Sequence, residues 1–163
     1  MRTKRLTSMA LLTTVALTIF VVEAQIPLPV PVPGIKLGLA NIVTVYALFT
    51  LGPRDTLMIL LGRILLGGIF TGRVMALLYS LSGGLLCYTV MLLMRRLVTK
   101  RQIWVCSAVG AVFHNVGQMG MAVLVTGTPA LAVYLPVLTA VAVVTGTFTG
   151  LCAQFAVERL PGA

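Results

Sequence analysis

Long apolar runs, separated by short polar or glycine- and proline-containing breaks, divide the chain into six segments: 6–24, 36–51, 55–71, 74–94, 104–126 and 133–156. Most runs reach about 17–22 residues, the length that crosses a bilayer core of roughly 30 Å. Backbone amides in lipid must be satisfied within their own segment, so runs of this kind are expected as helices. The period-two alternation of a membrane barrel is absent. The pattern predicts an all-α integral membrane protein of six transmembrane helices, a single polytopic domain over 1–163 with no room for a separate soluble domain.

Composition strengthens that reading. Of 163 residues, 59% are hydrophobic and 9% charged, whereas a soluble domain carries roughly a quarter charged residues. The net charge of +9 is not a nucleic-acid footprint, because the basic residues form no patch beside stacking aromatics. They sit mostly between apolar runs, where lysine and arginine set orientation. With the N-terminus in the cytoplasm, Arg2, Lys4, Arg5, Arg54, Arg95, Arg96, Lys100, Arg101 and Arg159 fall inside, while Lys36 and Arg73 fall outside. The expectation is a multi-pass protein of the cell inner (cytoplasmic) membrane with both termini inside. "MRTKR", an apolar stretch and "VEA" before Gln25 imitate a signal peptide. That stretch is long for a signal core, and residues 1–24 are expected to be retained as the first span.

Cys87, Cys106 and Cys152 lie in three different runs with no ligand-like spacing, and read as small buried hydrophobes. In "QIPLPVPVPGIK", Pro27, Pro29, Pro31 and Pro33 impose a stiff, extended course. Two readings of that stretch stay open, a rigid spacer or a lid over the outer mouth.

Expensive polar groups carry the candidate chemistry. Arg63 lies in the middle of "LMILLGRILLGGIF", where an arginine costs several kcal/mol and usually faces a partner or a wet cavity. Glu23 ends the first span, Lys36 begins the second, and Asn41 lies about a turn further in. The single histidine stands in "GAVFHNVGQMG". On a helix, Gln118 falls about 40° from His114 and Asn115 about 100°, so the three share a face. Gly110, Gly117 and Gly120 cluster beside them, where small residues admit another helix. His114, Asn115 and Gln118 could serve as interhelical braces. Together with Arg63, they are read as lining a ligand site at mid-membrane depth, with Asn41, Lys36 and Glu23 nearer the mouth. Arginine and amide donors suit an anionic or carbonyl-rich ligand. "SLSGG" at 80–84 and "TGTFTG" at 145–150 read as close helix packing, and Asp55 and Glu158 as anchors near the cytoplasmic ends. No catalytic constellation and no metal-ligand cluster stands out, and no GxxxxGK[ST] phosphate loop is present.

Glu23 before the proline stretch, "PGIKLGLANI" at 33–42, "GRILLG" around Arg63, "SLSGG", "GAVFHNVGQ" and "YLPVL" at 134–138 together resemble the Gx transporter family. That family is also labelled heptaprenyl diphosphate synthase component I. The resemblance covers roughly residues 6–156 and implies a bundle similar to the substrate-binding S components of energy-coupling factor importers. Such proteins have six helices, cytoplasmic termini and a loop between the first two helices that helps cover the ligand. By the same resemblance, the partners would be a transmembrane coupling subunit and ATPase subunits, with the first helix packing on the former.

Prenyl diphosphate synthases are similar to one another in aspartate-rich motifs that hold magnesium. This chain has one aspartate, Asp55, and is not expected to be an enzyme. A non-catalytic accessory role in isoprenoid or quinone metabolism, or in flavin- or quinone-linked electron transfer, is the alternative. No cofactor is evident, and a flavin or quinone would enter as ligand.

Overall fold

The computed structural model describes residues 2–26, 36–72 and 74–159, and among them the fold is entirely helical. Six α-helices follow in order: α1 (Arg2–Glu23), α2 (Asn41–Thr50), α3 (Pro53–Thr71), α4 (Val74–Met94), α5 (Ile103–Thr126) and α6 (Leu135–Arg159). Short 3₁₀ turns at Lys100–Gln102 and Pro129–Tyr134 lead into α5 and α6. Helix limits follow local chemistry. Gly52, at φ +96°, turns the chain into Pro53, whose ring suits a first helical position. Gly72 and Gly127 end α3 and α5 in the left-handed conformation that glycine adopts without strain.

Four helices, α1, α4, α5 and α6, are long and apolar enough to cross a membrane. The second expected span, 36–51, requires correction. Residues 36–40 are not helical, and α2 has 10 residues, about 15 Å of helix against a bilayer core of roughly 30 Å. Gly38, at φ +82°, cannot continue a right-handed helix. A Cβ there would also lie 2.9 Å from Asn41 Nδ2 and 3.1 Å from the His114 ring. α3 has 19 residues but carries Arg54, Asp55 and Arg63, which lower its mean hydropathy.

Close approaches of glycines order the bundle. Gly83 of α4 meets His114 and Gln118 of α5, and Gly117 of α5 meets the Ser82 carbonyl and the Gly83 backbone. Gly146 and Gly150 of α6 face Ala108, Ser107 and Trp104 of α5. These contacts run antiparallel and make α4–α5–α6 a tightly packed sheet of helices, as "SLSGG" and "TGTFTG" suggested. Gly120, read as part of the same seam, has open space around it instead. α1 runs parallel to α3, with Phe20 over Gly67 and Arg5 bidentate on Asp55. The short α2 is buried among them, Val43 and Ala47 packing with Ala16 and Ile59 while Val45 and Leu48 join the main core. Outward-facing Val144, Phe148, Leu151 and Phe155 of α6 are exposed, as expected of side chains whose solvent is lipid.

Candidate functional site

The break before α2 explains why so apolar a chain carries amides in α5. Non-helical backbone at membrane depth is tolerated only where its polar groups find partners inside the protein. Gln118 supplies them for Lys36: its Oε1 accepts the Lys36 N–H at 2.9 Å and its Nε2 donates to the Lys36 carbonyl at 3.2 Å. The amide thus imitates a neighbouring strand. Glu23, at the end of α1, accepts the Gly38 N–H. The non-helical piece 36–38 is therefore held from two sides, by α5 and by α1.

Beside this piece is a small cavity of about 10 Å³, room for roughly one water-sized group. Phe20 and Glu23 reach it from α1, Arg63 from α3, Ser80 from α4 and His114 from α5, while Lys36 and Gly38 close it from the non-helical segment before α2. Glu23, Lys36, Arg63 and His114 are each more than nine-tenths buried. Lys36 Nζ sits over the Phe20 ring, 3.0 Å from its centroid, a cation–π contact in a desolvated setting. Arg63 Nη2 makes a long contact of 3.5 Å to Asn41 Oδ1. Arg63 Nε, His114 Nδ1 and Asn41 Nδ2 have no hydrogen-bond partner among the described residues.

The seven residues singled out from sequence divide into two groups. Glu23, Lys36, Arg63 and His114 line the cavity; Asn41 stands behind Arg63, Gln118 serves the Lys36 backbone, and Asn115 faces α6. Asn115 Nδ2 donates to the Leu138 carbonyl at 2.9 Å, so this amide ties α5 to α6 and does not open onto the cavity. Phe20 and Ser80 are lining residues that sequence reasoning passed over. A phenylalanine in a span carries no signal, and Ser80 was absorbed into a packing motif. The proline segment read as spacer or lid lies, from Pro27 to Ile35, outside the described residues.

A second concavity, about 320 Å³ and almost wholly apolar, opens sideways between α1, α2 and α6. Val15 and Ile19, Ile42 and Tyr46, and Cys152 and Ala156 form its three walls. Among the described residues no group of three histidine, cysteine or acidic side chains could hold a metal ion.

Helices alone among the described residues, four of them long and apolar enough to cross a membrane, are compatible with a multi-pass membrane protein. The chain belongs to the heptaprenyl diphosphate synthase component I family, whose model matches residues 12–156. Comparison with curated proteins and with solved structures found no match. The aspartate-rich magnesium motif of a prenyl synthase is absent from the chain, since Asp55 is the sole aspartate and is occupied by Arg5.

Proposed function

We propose that this chain is a membrane-embedded binding protein that takes a small ligand from the outer side of the cell inner membrane, in the manner of an S component. The observation that carries the reading is the meeting of four costly side chains at one cavity. Glu23, Lys36, Arg63 and His114 come from four separate elements, and burying any one of them alone would be unfavourable. Arg63, with a donor to spare, would hold the polar end of the ligand, and His114 would accept or donate a further bond. Because the cavity admits one small group, the body of the ligand would enter only as the 36–40 segment shifts. In this reading the six helices are membrane-embedded with both ends inside, the orientation that the basic residues favour, and a reporter enzyme fused to the C-terminus would work only on the cytoplasmic side. An orientation with that end outside would remove the proposed route of entry. Energy for transport would come from separate coupling and ATPase subunits.

A second reading is favoured by the family's description and by the apolar concavity of about 320 Å³ between α1, α2 and α6. In it the chain is a non-catalytic accessory subunit that handles an isoprenoid or quinone lipid. Mass spectrometry of molecules retained after gentle detergent extraction separates the two. The first reading expects a water-soluble molecule on wild-type protein and its loss from Arg63→Gln. A quinone or polyprenyl lipid retained equally by both proteins would sink it.

A further inference from the structure

The apolar concavity between α1, α2 and α6 is a gap that the described chain does not close. Among the described residues no Cα of α1 comes within 8 Å of one of α6, and α2, which touches both, has only 10 residues. In a bilayer such a hollow is filled by hydrocarbon, since bare apolar walls forfeit their dispersion contacts. At roughly 30 Å³ for a water-sized group, the volume of about 320 Å³ takes about ten such groups, a length of one chain and not of two.

The gap also has a direction. Arg5 on Asp55 brings the start of α1 to the start of α3, while Ala153 packs with Val45 and Leu48 near the end of α2. The start of α1 and the end of α6 therefore share one end of the molecule. Helical period carries both walls on to a basic residue there. Lys4 falls within about 20° of Leu11 and Val15 around α1, and Arg159 about 20° from Cys152 around α6. The rise sets Lys4 about 10 Å beyond Leu11 and Arg159 about 4.5 Å beyond Ala156. Both are exposed. Arg159 lies over the Phe155 ring, 5.0 Å from its centroid, and a stacked guanidinium keeps its edge donors. Of the acidic groups at this end, Asp55 is held by Arg5, and Glu158, bonded to Gln154, falls about 160° from Ala156 on the far side of α6. Tyr46 brings the one hydroxyl among the lining residues, a donor suited to an ester carbonyl.

We propose that the concavity is a binding site for an anionic phospholipid of the surrounding bilayer. One acyl chain lies in the gap with its ester near Tyr46, and the phosphate sits between Lys4 and Arg159. The second chain stays in the bilayer, beside the exposed Leu11, Val15 and Cys152. A quinone has no charge for the two basic residues, and a polyprenyl phosphate has no ester for Tyr46. The bound chain fills the place of the contact that α1 and α6 lack. This site shares no lining residue with the ionic cavity and stands apart from the binding reading above. It competes with the isoprenoid reading for the same concavity.

The test is native mass spectrometry and thermal melting of the full chain, delipidated in detergent. The protein is titrated with dioleoyl phosphatidylglycerol, dioleoyl phosphatidylcholine, undecaprenyl phosphate or ubiquinone. One retained phosphatidylglycerol per chain is expected, with saturable stabilisation and an affinity at least about tenfold above that of phosphatidylcholine. Lys4→Gln with Arg159→Gln should erase most of that preference. Arg95→Gln with Arg96→Gln should leave it intact, because this pair follows α4, whose Tyr88 donates to the Pro53 carbonyl, at the same end but away from the concavity. Ala156→Phe, which fills the place of the chain, should weaken both phospholipids. If it is not recovered folded, the two charge pairs decide.

Equal affinity for the two phospholipids overturns the proposal. So does an equal loss from both charge pairs, which would mark diffuse attraction to a basic surface. Undecaprenyl phosphate or ubiquinone bound more tightly than phosphatidylglycerol overturns the phospholipid assignment and gives the concavity to the isoprenoid reading.

Discussion

Replacing Gln118 with methionine is expected to destabilise the protein by about 2–6 kcal/mol, because two buried backbone groups each lose a bond worth about 1–3 kcal/mol. Methionine keeps the length and approximate volume of the side chain, so packing against Gly83 survives while both bonds to Lys36 go. At the few degrees per kcal/mol typical of chains of this length, the melting temperature in detergent should fall by roughly 5–20 °C. The damage should be local in character. Freed from α5, the 36–38 segment no longer holds Lys36 and Gly38 at the cavity, and ligand retention should fall with stability. A melting temperature unchanged from wild type would mean that the amide is not what holds the break in the second hydrophobic segment.

Gly117→Leu is the second large effect. A Cβ at this position would stand 2.8 Å from the Ser82 carbonyl oxygen and 2.9 Å from Gly83 Cα, both backbone atoms with no rotamer to yield. α4 must therefore move away from α5, and overpacking of this kind costs about 1–3 kcal/mol or more. The shift also draws Ser80 from the cavity, so binding should suffer along with stability. Gly120→Leu supplies the control on the same helix. Nothing lies within 4 Å of its added Cβ, and the residue is exposed. It should melt close to wild type. Equal losses at both positions would indicate that α4 does not cross α5 where described.

Hydropathy alone located α1, α4, α5 and α6 to within a few residues, because a long apolar run in lipid has no alternative to helix. It misread 36–51 for a physical reason. Apart from Lys36, "IKLGLANI" is as apolar as a span, and what breaks it is the left-handed Gly38 together with polar partners on α1 and α5. Those partners are 15 and 82 residues away in sequence, beyond the reach of any local pattern. The same distance effect governs the site. Arg63, His114, Lys36 and Glu23 stood out because ionisable groups in apolar runs are costly, and they do converge. Asn115 and Gln118 share a buried helix face with His114, as the 3.6-residue period required. The period did not reveal that one amide meets the Leu138 carbonyl and the other meets Lys36. Ser80 shows the opposite limit: a serine in a span costs so little that its presence announces nothing.

The account stands on Arg63 and His114 facing one shared cavity that receives a group from outside the chain. An experimental density map of the wild-type protein, taken from its membrane without denaturation, tests this most directly. The account predicts density for a bound group within hydrogen-bonding distance of both the Arg63 guanidinium and the His114 imidazole. A map with those two side chains directed into separate helix interfaces, and nothing but packed protein between them, would contradict it.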